Sequence, residues 1–311
     1  MDTPEQGALR EAVRDFLGKH HDSQAWARLT GELGLTGLAV PECYGGAGAG
    51  LAEVAVAVEE TGRVLLPAPY LSTALAGAVL SEGDAGACAE FLPGIASGAL
   101  RAAFALGGPV TASGGRLTGV AHHVLDGAEA DLFVVRAGDA LFAVRAADTV
   151  VTPAGTLDQS RSQATVEFRG APGLAVESVG AAAHCLDVTV GYLKTRVQFG
   201  RPIGAFQALR HRCADLAVEV ASARATAYAA VRAAAGAGSP AELAVLGPLA
   251  KRHCVDVFWH VAAETIQLHG GIGFTWEHEA HRYLKRAKTT QLLHGSPVEL
   301  RRLVSQRAGL C

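Results

Sequence analysis

The sequence predicts a mainly helical chain with a small β domain in its middle, and three observations carry that prediction. Apolar residues recur every three or four positions at both ends of the chain. Capping residues, prolines and glycines start and stop those stretches. Between residues 101 and 171 the apolar period drops towards two and hairpin turns appear. With 311 residues, two or three packed units are within reach, and a hydrophobic share of 50% is ample for their core. Most of that share is Ala, Val and Leu, which suits helices.

Each element follows in order. Thr3-Pro4-Glu5-Gln6 is a capping box with proline at the first helical position, and Leu9, Val13, Phe16 and Leu17 form the stripe behind it. A second helix carries Trp26, Leu29 and Leu33 and stops at Gly34–Gly37. The run Leu38–Gly48 reads either as a glycine-rich phosphate cradle or as a sharp structural turn. It lacks the strand–glycine–helix register of a dinucleotide fingerprint, and its glycines are expected to be structural. Helices near 71–80 and 85–97 complete an N-terminal helical unit, residues 1–100.

Short strands are predicted at 102–106, 117–124, 132–135, 141–144 and 164–168, with turns at Ser113-Gly114-Gly115 and Gly138-Asp139. They define a small antiparallel sheet domain, residues 101–171. The remainder, 172–311, reads as a helical bundle. One helix runs from about Leu174, and Leu209, Cys213, Leu216, Val220, Ala223, Ala227 and Val231 mark the next. Ser239-Pro240-Ala241-Glu242 starts a third, which contains Pro248 and runs towards Gln267.

Composition excludes several classes. A net charge of −3 gives no electrostatic case for a nucleic-acid partner. Six cysteines at 43, 88, 185, 213, 254 and 311 form no C-x-x-C pair, so reduced thiols are expected, not a disulfide frame or a zinc site. The first residues lack a signal-peptide pattern, and no apolar run reaches membrane-spanning length. The expectation is a soluble cytoplasmic protein without a membrane partner.

Three stretches could carry chemistry. Arg196-Val197-Gln198-Phe199-Gly200-Arg201-Pro202-Ile203-Gly204-Ala205-Phe206-Gln207 lies between two long helical patterns. It could be a helix–helix turn with an aromatic plug, or a turn that aims an arginine and a glutamine at a phosphorylated ligand. Gln267-Leu268-His269-Gly270-Gly271-Ile272-Gly273-Phe274 is either a helix stop or a loop whose bare backbone approaches a ligand. Gln291-Leu292-Leu293-His294-Gly295-Ser296-Pro297 precedes the last helix, for which Ser296 and Glu299 read as a capping box. His278 and His281 lack a third ligand, so no metal site is predicted. Arg282, Lys285, Arg286 and Lys288 read as a solvated basic helix face, with a phosphate contact as the alternative.

These strings resemble signatures of the acyl-CoA dehydrogenases: R-x-x-FG-x-PI-x-x-x-Q at 196–207, Q-x-x-GG-x-GF at 267–274, and GL-x-VPE-x-YGG-x-G at 37–48. The resemblance spans nearly the whole chain and is strongest at 177–304. It implies N-terminal helices, a β domain and an oligomerising helical bundle, with FAD as cofactor and an acyl-CoA thioester as substrate. It further implies that Arg196, Phe199, Gln207, Gln267, Gly270 and Gly271 contact FAD bound by a neighbouring subunit. Electrons would pass to an electron-transfer flavoprotein or a similar acceptor.

Two departures stand out. The family's T-E-P-x-x-G-S-D and W-I-T segments, which seat the flavin ring, are replaced by Phe104–Val110 and His122–Gly127. The glutamate of the Y-E-G-T segment, which removes the α-proton, is replaced by His294. Glu177 is the nearest carboxylate to the family's alternative base position, in the wrong register, and Arg286 stands where the family usually has Asp. The pattern resembles the degenerate subunit of hetero-oligomeric dehydrogenases of bacterial steroid side-chain degradation, whose partner is a homologous subunit that carries the glutamate. The alternatives are a self-sufficient homo-oligomer with His294 as base, or a non-enzymatic acyl-CoA-binding or scaffolding protein.

Overall fold

The computed structural model describes residues 3–22, 24–83, 85–105, 110–113, 116–137, 140–158, 160–165, 172–234, 238–292 and 297–309. Five helices come first: α1 (Pro4–Lys19), α2 (Ala25–Gly31), α3 (Leu51–Arg63), α4 (Tyr70–Leu80) and α5 (Ala85–Ala96). The predicted box starts α1, where the Gln6 amide donates to Thr3 Oγ1 at 3.3 Å and the Thr3 amide donates to Gln6 Oε1 at 3.0 Å. The run 38–48 folds back on itself. A Cβ on Gly46 would lie 2.0 Å from the Val40 carbonyl oxygen, so that glycine lets backbone touch backbone.

The middle contains β1 (Ala102–Ala105), β2 (Thr111–Ser113), β3 (Arg116–Thr118), β4 (Val124–Leu125), β5 (Leu132–Ala137), β6 (Ala140–Arg145) and β7 (Gln163–Ala164). The largest sheet has the order β1-β5-β6 and is mixed, not antiparallel as predicted, because β1 runs parallel to β5. A long crossover between these two strands permits that pairing. It buries β1 along its whole length against α4, where Thr73 Oγ1 accepts from the Ala102 amide at 3.1 Å. The single strand expected at 117–124 is broken. Gly119 and His123 take φ of 145° and 68°, so β3 ends at Thr118 and β4 begins at Val124.

The last part consists of α6 (Pro172–Thr195), the short hairpin β8 (Val197–Gln198) and β9 (Arg201–Pro202), α7 (Gln207–Arg232), α8 (Pro240–His269), α9 (Ala280–Leu292) and α10 (Pro297–Arg307). Ser239 caps α8 as predicted, its Oγ accepting from the Glu242 amide at 3.2 Å while Glu242 Oε2 accepts from the Ser239 amide at 2.7 Å. Ser239→Ala should therefore lower unfolding stability by about 1 kcal/mol in urea titration. The expected cap of α10, Ser296, lies outside the described residues.

Two cores hold the chain. In the larger, Leu17, Leu29 and Tyr70 pack with Ala182 of α6, Leu216 of α7 and Phe258 and Val261 of α8, so the helices at both ends of the chain share one interior. The smaller joins α4 and α5 to the sheet through Ala76, Leu92, Ile95, Ala103 and Phe133. An ionic network fastens the larger core. Glu59 and Glu60 of α3 are 0% and 1% exposed. Glu59 pairs with Arg224 and accepts from Tyr228 Oη at 2.6 Å. Glu60 takes Arg14 in a two-pronged contact at 2.8 Å and Arg10 at 2.9 Å.

Among the described residues Cys88, Cys185 and Cys254 are buried free thiols, as expected, and burial pushes the Cys254 thiol up to about 12. No described helix is long and apolar enough to cross a membrane.

Candidate cofactor site at one end of the bundle

Helix direction decides which motif residues can meet. α6 and α8 run side by side in the same sense. The Thr189 and Thr265 hydroxyls lie 3.2 Å apart, and the Tyr192 and His269 rings follow at 4.5 Å. α7 returns along α8 in the opposite sense, through Ser222–His253 at 3.0 Å, Glu219–His260 at 2.8 Å and the Arg212–Glu264 ion pair. Consequently the residue after α6, the first residue of α7 and the last turn of α8 come to the same end. Arg196, Phe199, Gln207, Gln267, Gly270 and Gly271 all sit there, and all six are exposed.

The hairpin explains why Arg196 is presented outward. Its backbone is committed to the fold: the amide donates to the Tyr192 carbonyl at 2.8 Å, and its carbonyl accepts from the Ile203 amide at 2.8 Å. No ion pair or side-chain hydrogen bond engages its guanidinium among the described residues. At the hairpin tip Phe199 and Gly200 both have positive φ, 54° and 75°. A bulky residue at positive φ is costly. Phe199 is also 90% exposed, so it does not plug the turn; that wall is made by Phe206, with Arg201 stacked 4.3 Å above its ring.

At the end of α8, Gly270 has φ of 63°, and a Cβ there or on Gly271 would meet nothing within 4 Å. The backbone is open to an incoming group. Ile272, Phe274 and Trp276 beside it are 43%, 83% and 79% exposed. Exposed apolar side chains clustered beside polar motif residues are the chemistry that contact surfaces use. One unpaired guanidinium, two carboxamides and an open glycine backbone suit a pyrophosphate.

Other expectations fare differently. His294 lies outside the described residues, as do 106–109 of the first altered segment and the side chain of Glu177. In the second altered segment Val124 and Leu125 are buried, and Asp126 accepts from Ser72 Oγ at 2.5 Å, so these side chains serve packing. The basic face of α9 requires a correction. Arg286 is not on a solvated surface; it is 1% exposed and forms an ion pair with Asp158, and its Nη2 donates to Ser160 Oγ at 2.7 Å. Lys285 is half-buried, over the Trp276 ring at 4.4 Å. Sequence reasoning also missed Lys251, which is buried in α8, donates to the Thr290 carbonyl at 2.5 Å, and is pushed by burial down to about 7. Among the described residues no cluster of three His, Cys, Asp or Glu could hold a metal.

Two family models cover most of the chain: "Acyl-CoA dehydrogenase, N-terminal domain" matches residues 3–99, and "Acyl-CoA dehydrogenase, C-terminal domain" matches residues 168–309. The chain belongs to the acyl-CoA dehydrogenase family. This makes it an oxidoreductase of the CH–CH class and a flavoprotein, with FAD as the implied cofactor. Acyl-CoA dehydrogenase IpdE2 of Mycobacterium tuberculosis is 38% identical, over 97% of both chains. The ChsE4–ChsE5 complex of Mycobacterium tuberculosis matches with TM-score 0.87 and 25% identity, over 100% of this chain and 99% of the other. A Tcur3481–Tcur3483 steroid ACAD variant matches with TM-score 0.87 and 27% identity, over 98% of each chain. Both of these solved structures contain two named components.

Proposed function

We propose that this chain is the subunit of a hetero-oligomeric acyl-CoA dehydrogenase that lacks the catalytic glutamate and completes the FAD site of a homologous partner. The observation that carries this reading is the position of Arg196: an exposed guanidinium without a counter-charge among the described residues, at the same bundle end as Gln207, Gln267, Gly270 and Gly271. Such a group is well placed for a phosphate held by another chain. Two-component structures of the same fold support the partner, and one of them, a steroid ACAD, supports a steroid side-chain CoA thioester as substrate.

In this assignment the N-terminal helices (1–100) and the shortened β domain (101–171) frame the site, and the bundle (172–311) reaches across. Arg196 binds the pyrophosphate as a fork, Gln207 and Gln267 donate neutral hydrogen bonds, Gly270 and Gly271 offer backbone, and Phe199 covers the cofactor's flank. FAD, when bound, takes up the hydride that leaves the β-carbon, and the glutamate that removes the α-proton belongs to the partner.

The test is FAD content. Purified alone, the chain should carry little or no flavin; co-purified with a homologue that has the glutamate, it should carry one FAD per pair of unlike chains. Stoichiometric flavin and turnover in the lone chain would replace this reading with the homo-oligomer that uses His294. A complex without flavin that still binds acyl-CoA would replace it with a binding or scaffolding role.

A further inference from the structure

His269 closes α8 and stands directly behind the exposed turn. Its Nδ1 lies 2.7 Å from the Thr265 carbonyl oxygen. A carbonyl can only accept, so the proton is on Nδ1 and Nε2 carries a lone pair. That Nε2 is buried without a hydrogen-bond partner among the described residues, and the residue as a whole is 3% exposed. The ring lies between Tyr192 at 4.5 Å and His278 at 4.3 Å. The turn folds onto it: a Cβ on Gly273 would lie 2.9 Å from His269 Cβ and 2.8 Å from the Ile266 carbonyl oxygen. The turn thus packs against the base of the His269 side chain.

We propose that His269 is a positioning residue that holds the Gly270–Phe274 turn in shape only while its Nε2 is unprotonated, so that the cofactor seat is released by acid. This rests on the bundle end being the FAD seat. A proton on Nε2 would add a donor and a charge where no acceptor stands among the described residues. The groups facing the ring are Tyr192 from α6, His278 and Glu279 from the segment before α9, and the Thr265 carbonyl on α8 itself. Glu279 is already engaged by His184 Nε2 at 2.9 Å. The C-terminal end of α8 favours a cation, but burial, helped by His278, outweighs that and moves His269 below its ordinary value. The sign follows. A histidine whose folded value is depressed favours the folded turn at neutral pH, and that contribution is lost as pH falls below about 6.5 towards the lower folded value.

The experiment measures FAD dissociation constants of the hetero-complex at pH of about 7.5 and about 5.5 at fixed ionic strength. It compares the wild type with His269→Phe, which keeps a ring in the stack, and His269→Gln, which can still donate to Thr265. Wild-type affinity should fall by roughly three- to tenfold on acidification, and both variants should lose most of that dependence. Titration of the His269 Cε1–H signal by NMR should give a midpoint below the ordinary histidine range. An equal acid loss in all three proteins, or a midpoint at or above that range, overturns the inference and leaves the seat intact. A complex that binds no FAD at either pH overturns the seat reading, and this inference with it.

Discussion

Asp158→Ala should destabilise the chain by about 3–5 kcal/mol, because it removes the carboxylate from a buried ion pair. Arg286 and Asp158 are 1% and 4% exposed at their side chains, and they join α9 to the segment between β6 and β7. The carboxylate is well held: the Ser160 amide donates to its Oδ1 at 3.0 Å and the Ser160 hydroxyl at 2.5 Å. Burial alone would raise the Asp158 carboxyl, but Arg286, Ser160 and Arg161 together hold it below its usual value. A carboxylate depressed in the folded state contributes stability above its unfolded value, and the contribution disappears as pH falls through the folded one. The pair should therefore matter at neutral pH and fade below about pH 4. Urea unfolding of Asp158→Ala checks the loss. The double variant Asp158→Leu with Arg286→Met should recover most of it, since an apolar pair of similar volume carries no desolvation penalty. A single variant as stable as the wild type would show that the other contacts of Arg286, Ser160 among them, are enough to hold it.

That ion pair also shows where the sequence stops being readable. Arg286 falls among Arg282, Lys285 and Lys288 on one helix, and nothing local separates it from these less buried neighbours; its partner lies 128 residues away. The parallel pairing of β1 with β5 was equally hidden, because strand patterns mark faces and not neighbours. Glu59 and Glu60 carried a fainter sign, two charges directly after the apolar run Val54–Val58, which a buried ionic network explains. By contrast, the boxes at Thr3 and Ser239 were legible because capping is chemistry within four residues. The three helix ends that meet at Arg196, Gln207 and Gln267 were legible as motifs. Their common location was not, since it depends on the relative directions of α6, α7 and α8.

Arg196→Ala should weaken FAD binding to the hetero-complex by roughly ten- to hundredfold while leaving the fold of the chain intact. The size follows from a charge-assisted hydrogen bond, worth about 1.5–3 kcal/mol, at about 1.4 kcal/mol per decade of affinity. The fold should tolerate the change because the structural work at this position is done by the backbone, through Tyr192 and Ile203, and the side chain is exposed. Arg196→Lys should recover only part of the affinity, since an ammonium brings charge without the planar fork. The competing view is that Arg196 merely faces the C-terminal carbonyls of α6. It predicts a stability change of about 0.3–1 kcal/mol and unaltered FAD binding. Titrating FAD into the apo-complex of each variant, with urea unfolding of the same samples, separates the two. Wild-type affinity in Arg196→Ala would reduce the hairpin between α6 and α7 to a connecting turn. A hundredfold loss at unchanged stability would leave the pyrophosphate as the one partner that accounts for an outward, uncompensated guanidinium.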